Sequence, residues 1–314
     1  MSYFTPRGGL PAQTELLTDR AIVTEAYTVI PKGVLRDIVT SNLPGFTKTR
    51  SWIIARPIAG FATTFSQLIV EIAPGGGADR PEQEPGVEGV VFVTSGELTL
   101  TLEREGERHV LEAGGYAYLA AGERWSVANE GSELTSFQWI RKAYEPLDGH
   151  TATSFVTSDA EVVPEEMPGT DGAWATSRFV DADDLAQDMH VNIVSFRPGG
   201  SIPFAETHVM EHGLFVLEGK GVYRLNGDWV EVEAGDFMWL RAFCPQACYA
   251  GGPGPFRYLL YKDVNRQVRL TDHAGGGQFH SGMFSGGEVS GGDVPRDELP
   301  GGSVSSGPIS SGPR

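Results

Sequence analysis

The 314-residue chain contains two cysteines, Cys244 and Cys248. That excludes a disulfide framework. A lone Cys-x3-Cys is a weak metal signal, so both are expected to be reduced thiols. Basic residues are in the minority: 24 Lys and Arg face 41 Asp and Glu, a formal net charge of -17. Such a surface repels a phosphate backbone and an anionic lipid headgroup, which argues against nucleic acid or membrane as partner. An anionic substrate would need a local cationic pocket. No apolar run approaches the roughly 20 residues of a membrane span. Residues 1–18 lack the apolar core of a signal peptide, so the cytoplasm is the expected compartment. Long amphipathic helical patterns are scarce.

Glycine (41) and proline (20) are abundant. Between them lie short β-rich runs, among them Phe65–Ile72, Gly89–Thr94, Glu97–Glu103, Val191–Phe196, Gly213–Leu217 and Phe256–Tyr261. This spacing predicts an all-β sandwich or barrel. The chain also repeats itself. Ile69–Gly77 resembles Ile193–Ser201, Phe92–Leu100 resembles Phe215–Tyr223, and Glu112–Leu119 resembles Glu233–Leu240. Three matches in the same order predict a duplicated β domain. The expected organisation is a first domain over 1–145, a linker over 146–159, a second domain over 160–273 and a tail over 274–314. The tail is rich in Gly, Ser and Pro and cannot bury enough surface to offset its ordering entropy, so it is expected to be disordered.

Histidine is rare, seven in all, yet two fall four apart behind an acid, in Glu206-Thr-His208-Val-Met-Glu-His212. Residues two apart on a strand share a face. Glu206 and His208 are therefore predicted on one side, with His212 facing back after a short turn. One carboxylate and two imidazoles suit Mn, Fe, Ni or Zn. His109, His150, His190, His273 and His280 are expected to be surface or core residues.

Counted from Gly200 to Gly219, the spacing of this trio resembles the first cupin motif, with Glu, His and His in the ligand slots. Counted from Gly235, the fourth slot of the second motif holds Gln246. Glu, His, His and Gln make an oxygen- and nitrogen-rich set that leans towards Mn(II) over Zn. In the first repeat the same slots hold Gln83, Pro85, Gly89 and Trp125, so that half is expected to be metal-free. The fold implied is a bicupin: two tandem double-stranded β-helix (jelly-roll) barrels.

The substituted ligand set, with Glu206–Gly213, Glu218–Tyr223, Tyr261-Lys-Asp-Val-Asn-Arg266 and the early Ala21-Ile-Val23, resembles the (S)-ureidoglycine aminohydrolase family of purine (allantoin) catabolism. The likeness spans roughly residues 15 to 270. It implies a hydrolase that releases ammonia from (S)-ureidoglycine to give (S)-ureidoglycolate, with Mn2+ held by Glu206, His208, His212 and Gln246. It further implies Tyr223, Tyr258 and Lys262 as substrate contacts, Tyr223 from a strand neighbouring that of Tyr258, with Glu206 and Lys262 as catalytic groups. Two other uses of such a pocket are a cupin dioxygenase or isomerase, and a small-molecule-binding cupin without catalysis. Cupin sheet edges often pair between chains, so a homo-oligomer is expected.

Overall fold

The structure, a computed structural model, describes residues 20–32, 40–57, 61–104 and 106–263. The tail expected over 274–314, together with Arg266, His273 and His280, lies outside the described residues. Through the first repeat the strands are β1 (Ile22–Val23), β2 (Tyr27–Ile30), β3 (Phe46–Ala55), β4 (Phe65–Ala78), β5 (Val87–Ser95), β6 (Leu98–Leu102), β7 (Glu107–Leu111), β8 (Gly115–Leu119), β9 (Trp125–Ala128) and β10 (Thr135–Ala143). After them come β11 (Phe155–Ser158), β12 (Glu165–Glu166), β13 (Trp174–Ser177), β14 (Met189–Phe196), β15 (Ser201–Glu206) and β16 (His212–Glu218). The last are β17 (Lys220–Leu225), β18 (Asp228–Glu233), β19 (Phe237–Leu240), β20 (Gln246–Tyr249) and β21 (Phe256–Asp263). The chain is all-β, and no helix among the described residues is long and apolar enough to cross a membrane.

Several strands are apolar on both faces, and the packing explains why. Side chains alternate across a strand. One set on β5, β8 and β10 (Val91, Val93, Ala117, Leu119, Phe137, Trp139) fills the interior of a first barrel. The other set (Val90, Phe92, Tyr116, Tyr118, Ile140) joins Ile193, Phe215, Phe237, Trp239, Leu259 and Tyr261 in a middle layer between the two halves. The alternate residues of those later strands (Val194, Leu214, Val216, Met238, Leu240, Tyr258) fill a second barrel. Three buried layers therefore account for runs that lack the polar–apolar alternation of a half-exposed strand.

The repeated Pro-Gly-Gly is a corner in the chain of each barrel. In the first half β4 bends there to reach β9; in the second, β14 ends and β15 begins. A Cβ on Gly200 would lie 2.3 Å from the Ala173 carbonyl oxygen, so no side chain fits. The second barrel faces an eight-stranded sheet, β1-β2-β19-β16-β21-β14-β13-β12, with a four-stranded one, β15-β20-β17-β18. The first barrel is one nearly closed sheet, β11-β8-β5-β10-β4-β9-β6-β7, with β3 against β4.

The sequence boundary at 145 separates the repeats, but the sheets cross it in both directions. Strand β2, from the start of the chain, pairs with β19 of the second barrel, matching Ile30 with Phe237 and Tyr27 with Leu240. Strand β11, from within the expected linker, pairs with β8 of the first. Tyr27 and Val29 join the second barrel's core. The Tyr27 hydroxyl donates to Asp228 at 2.7 Å, and Arg20 pairs with Asp236 at 2.6 Å. Each barrel is thus completed by the segment that precedes the other.

The middle layer also buries charge. Lys142 pairs with Asp188 at 2.6 Å, and the Tyr118 hydroxyl donates to Glu88 at 2.5 Å. Burial, reinforced by Asp188, raises the Glu88 carboxyl well above its ordinary range. A carboxyl raised by folding holds a proton that the unfolded chain has released. Stability should therefore fall as pH rises above the unfolded carboxyl's value of about 4.3, until Glu88 itself ionises, by at most about 1.4 kcal/mol per pH unit. Glu88→Gln, permanently neutral, should flatten this slope. Melting temperatures between pH 5 and 8 measure it, and an unchanged slope in the variant refutes the assignment.

Candidate functional site

Four short elements meet at one end of the second barrel. Strand β15 carries Pro203, which has no N–H to give to a ladder, and its pairing with β20 is irregular between Ile202 and Glu206. The strand regains register at its last residue, where Glu206 stands opposite Gln246. His208 was expected on the strand beside Glu206. It lies instead in the loop 207–211, where its carbonyl accepts the Phe243 N–H at 2.7 Å. His212 opens β16 and is held between Leu240 and Lys262 on the flanking strands.

The loop and strands bring three side-chain nitrogens together. His208 Nε2 lies 3.1 Å from His212 Nε2 and 3.1 Å from Gln246 Nε2. Neither imidazole Nδ1, both buried, makes a well-formed hydrogen bond, although the Glu211 and Tyr261 backbones lie near the His212 ring. Burial first, then the charges of His208 and Lys262, push His212 down to about 3, so its ring is neutral. Glu206 is near enough to His208 for its charge to be felt, though burial dominates and raises the carboxyl. It is not hydrogen-bonded to the other three. Among the described residues no group of three His, Cys, Asp or Glu side chains is drawn tightly enough to form a finished metal cluster. The tight group is two imidazoles and an amide, with the carboxylate beside it.

This donor set fits a divalent ion. A proton shared between the two imidazoles satisfies one pair of lone pairs; a cation satisfies all of them. Two nitrogens bound at about 2.1 Å and at right angles on one ion lie about 3 Å apart, close to the spacing here. A half-turn of the Gln246 amide presents its oxygen at the same point.

Lys262 on β21 is cross-strand partner to both His212 and His190, and Tyr258, four residues earlier, shares its face towards the barrel interior. Burial lowers the Lys262 ammonium, and Arg178 adds to the effect. Tyr258 is near enough to Glu206 for that charge to act on it. Tyr223 was expected on a strand neighbouring Tyr258. It lies on β17 in the opposite sheet and faces Tyr258 across the barrel, with ring centroids 6.0 Å apart. Its buried hydroxyl is close to Tyr258 and Cys248 but makes no well-formed hydrogen bond. Cys244 and Cys248 are both free and buried, and burial raises Cys248 to about 12, a neutral thiol.

The Cupin domain family matches residues 68–141 and 192–261, one stretch in each barrel. A crystal structure from Pseudomonas aeruginosa is 63% identical and superposes with a TM-score of 0.78, covering 86% of this chain and 98% of that one. The (S)-ureidoglycine aminohydrolase of Arabidopsis thaliana is 33% identical over 73% of this chain and 73% of its own length. That of Escherichia coli is 31% identical over 82% of this chain and 95% of its own. The chain belongs to the (S)-ureidoglycine aminohydrolase family.

As a member of that family it is a cupin hydrolase, and its two barrels differ in what fills them. In the first, Trp125 and Trp139 stand edge to face, centroids 5.8 Å apart, within the barrel core. In the second, the corresponding end holds His208, His212 and Gln246. Two further residues of β14 face the interior of the second barrel. His190, expected from the sequence to be a surface or core residue, lies opposite Lys262 and is held down to about 4 by burial and then by the Lys262 charge. Asn192, two residues on and on the same face, has a buried Oδ1 without a partner. Only the pairing of β14 with β21 brings them there, and no local spacing reveals it.

Proposed function

We propose that the protein is an Mn(II)-dependent (S)-ureidoglycine aminohydrolase, releasing ammonia from (S)-ureidoglycine to give (S)-ureidoglycolate. The observation that carries this reading is the convergence of His208, His212 and Gln246 beside Glu206, with one lysine on the same barrel face. In this proposal Glu206, His208, His212 and Gln246 hold the ion. When bound, the ion supplies a fixed positive charge that orients the substrate's oxygen or amine donors and polarises the reacting carbon.

The chain's own residues do the rest. Lys262 pairs with the substrate carboxylate, the local cation that an acidic protein requires. Tyr223 and Tyr258 wall the site from opposite sheets and exclude bulk water. The reaction breaks the bond from the reacting carbon to its amine nitrogen, which leaves with a proton as ammonia; a water oxygen takes its place. Glu206 has two oxygens, one to serve as ligand and one to accept the proton that water gives up. The proposal extends to a cytoplasmic homo-oligomer, since sheet edges in cupins often pair between chains.

The test is ammonia release from (S)-ureidoglycine generated in situ, using metal-stripped protein with and without Mn(II), beside Glu206→Ala. The expected result is stereospecific, Mn-dependent release that the substitution abolishes. A rate no higher than the spontaneous background, with Mn(II) bound, would refute the aminohydrolase reading. Oxygen consumption in its place would move the pocket to dioxygenase chemistry.

A further inference from the structure

Glu211, between the two histidines, is 3% exposed, although the neighbouring loop residues Thr207 and Val209 are exposed. Its carboxylate does not point at the histidines. It accepts the backbone N–H of Thr63 at 2.7 Å and of Thr64 at 2.9 Å, the Thr64 hydroxyl, and the Trp239 indole N–H at 2.6 Å. Its own N–H donates to Asp263 at 2.7 Å. The Thr64 hydroxyl also lies 2.9 Å from the Tyr261 hydroxyl. Thr63 and Thr64 belong to the first half of the chain and immediately precede β4. The next residue, Phe65, stacks on Tyr261 with ring centroids 4.0 Å apart. A Cβ on Gly213 would lie 2.6 Å from the Phe65 ring, so glycine after His212 is what allows this approach. The start of β4 therefore grips residues 211 to 213 through a buried, charge-assisted network.

We propose that Glu211 is a positioning residue through which Thr63 and Thr64 of the first half hold His212 and the loop bearing His208 in ligating geometry. The role rests on the metal site proposed above. His212 follows Glu211 directly, so a carboxylate anchored by four donors fixes the backbone from which that imidazole projects. His208 lies three residues before the anchor, at the far side of a loop whose other tie is the Phe243 N–H. Bonds of this kind to ionised groups are the strong ones. Outer groups that orient metal ligands typically govern affinity by about 10–100-fold. The first barrel, its own interior filled by tryptophans, would thus contribute to the site by holding the second barrel's metal loop.

The test is Mn(II) binding by the full-length chain, read from the EPR signal of the free ion. Thr64→Val removes one donor and keeps the shape. Glu211→Gln replaces one acceptor oxygen with an NH2 that faces donors, removing the bonds to that oxygen, and Thr64→Ser keeps the hydroxyl. Thr64→Val and Glu211→Gln are expected to weaken Mn(II) binding about 10–100-fold, while Thr64→Ser binds as the wild type does. Wild-type affinity in both weakening variants, whatever their melting temperatures, overturns the proposal and leaves the network a purely structural one. If Thr64→Val does not fold, Glu211→Gln decides alone, against the serine variant. Absence of Mn(II) binding in the wild type is a separate outcome: it overturns the metal reading, and the positioning role with it.

Discussion

Replacing His212 with alanine is expected to lower Mn(II)-dependent ammonia release by about 1,000-fold or more while leaving both barrels folded. A metal acting on a reacting carbon supplies several kcal/mol of stabilisation, and every 1.36 kcal/mol is tenfold in rate. Of the proposed ligands, His212 is the one whose loss the site can least absorb. It opens β16 between two paired strands and is 4% exposed, so no solvent molecule enters without rearrangement. His208 lies in a loop, whereas His212 is fixed within a paired strand. The check has two parts: the rate per bound Mn(II), and circular dichroism to show that the sheets persist. A folded His212→Ala protein that turns over at the wild-type rate would remove this residue from the site.

The second large effect is expected at Lys262. Lys262→Met keeps the aliphatic stem and removes the ammonium that would face the substrate carboxylate. A hydrogen bond to a charged group contributes about 1.5–3 kcal/mol, so KM should rise about 10–100-fold, with a smaller change in kcat. Mn(II) affinity should stay within a few-fold of wild type. This split separates Lys262 from the ligands, whose loss removes metal and rate together. A normal KM in Lys262→Met would mean that the carboxylate is held elsewhere, and Arg178 and His190 are the cationic candidates within reach of the same face. His190 is neutral at the pH of most assays, so Arg178 would be the first to test.

Much of the fold is legible because its corners are made of local chemistry. The Pro-Gly-Gly at 74–76 and 198–200 turns the chain at a corner and leaves no room for a side chain at Gly76 or Gly200. Gly96 and Gly219, in the second repeated block, both adopt positive φ, at 75° and 79°. Those steric demands are written in single residues, and so the duplication is visible. The proposed ligands are legible for a similar reason, since three of the four cluster around one loop. What stays hidden depends on pairing between distant strands. His190 looks isolated along the chain and meets Lys262 only when β14 lies beside β21. Glu211 reads as a loop acid until Thr63 and Thr64 are brought onto it. His208 leaves its predicted strand because Pro203 and the irregular register after Ile202 end β15 at Glu206, a contest that alternation alone does not register. Tyr27–Ile30 reads as an ordinary first strand, and nothing within it names β19 as its neighbour.

The exchanged strands set a clock on biosynthesis. Tyr27–Ile30 emerges from the ribosome early, but its partner, Phe237–Leu240, follows more than 200 residues later. At about 5–20 residues per second this is a wait of roughly 10–40 s, during which the aromatic and β-branched side chains of β2 have no sheet to join. The first barrel must likewise wait for Phe155–Ser158 before its β8 edge is covered. Nascent chains stalled between residues 160 and 235 should therefore expose an unpaired strand that chaperones can bind, and full compaction should come only after the last barrel is translated. The same wiring makes the mature halves hard to part, because a cut in the linker leaves each barrel holding a strand supplied by the other fragment.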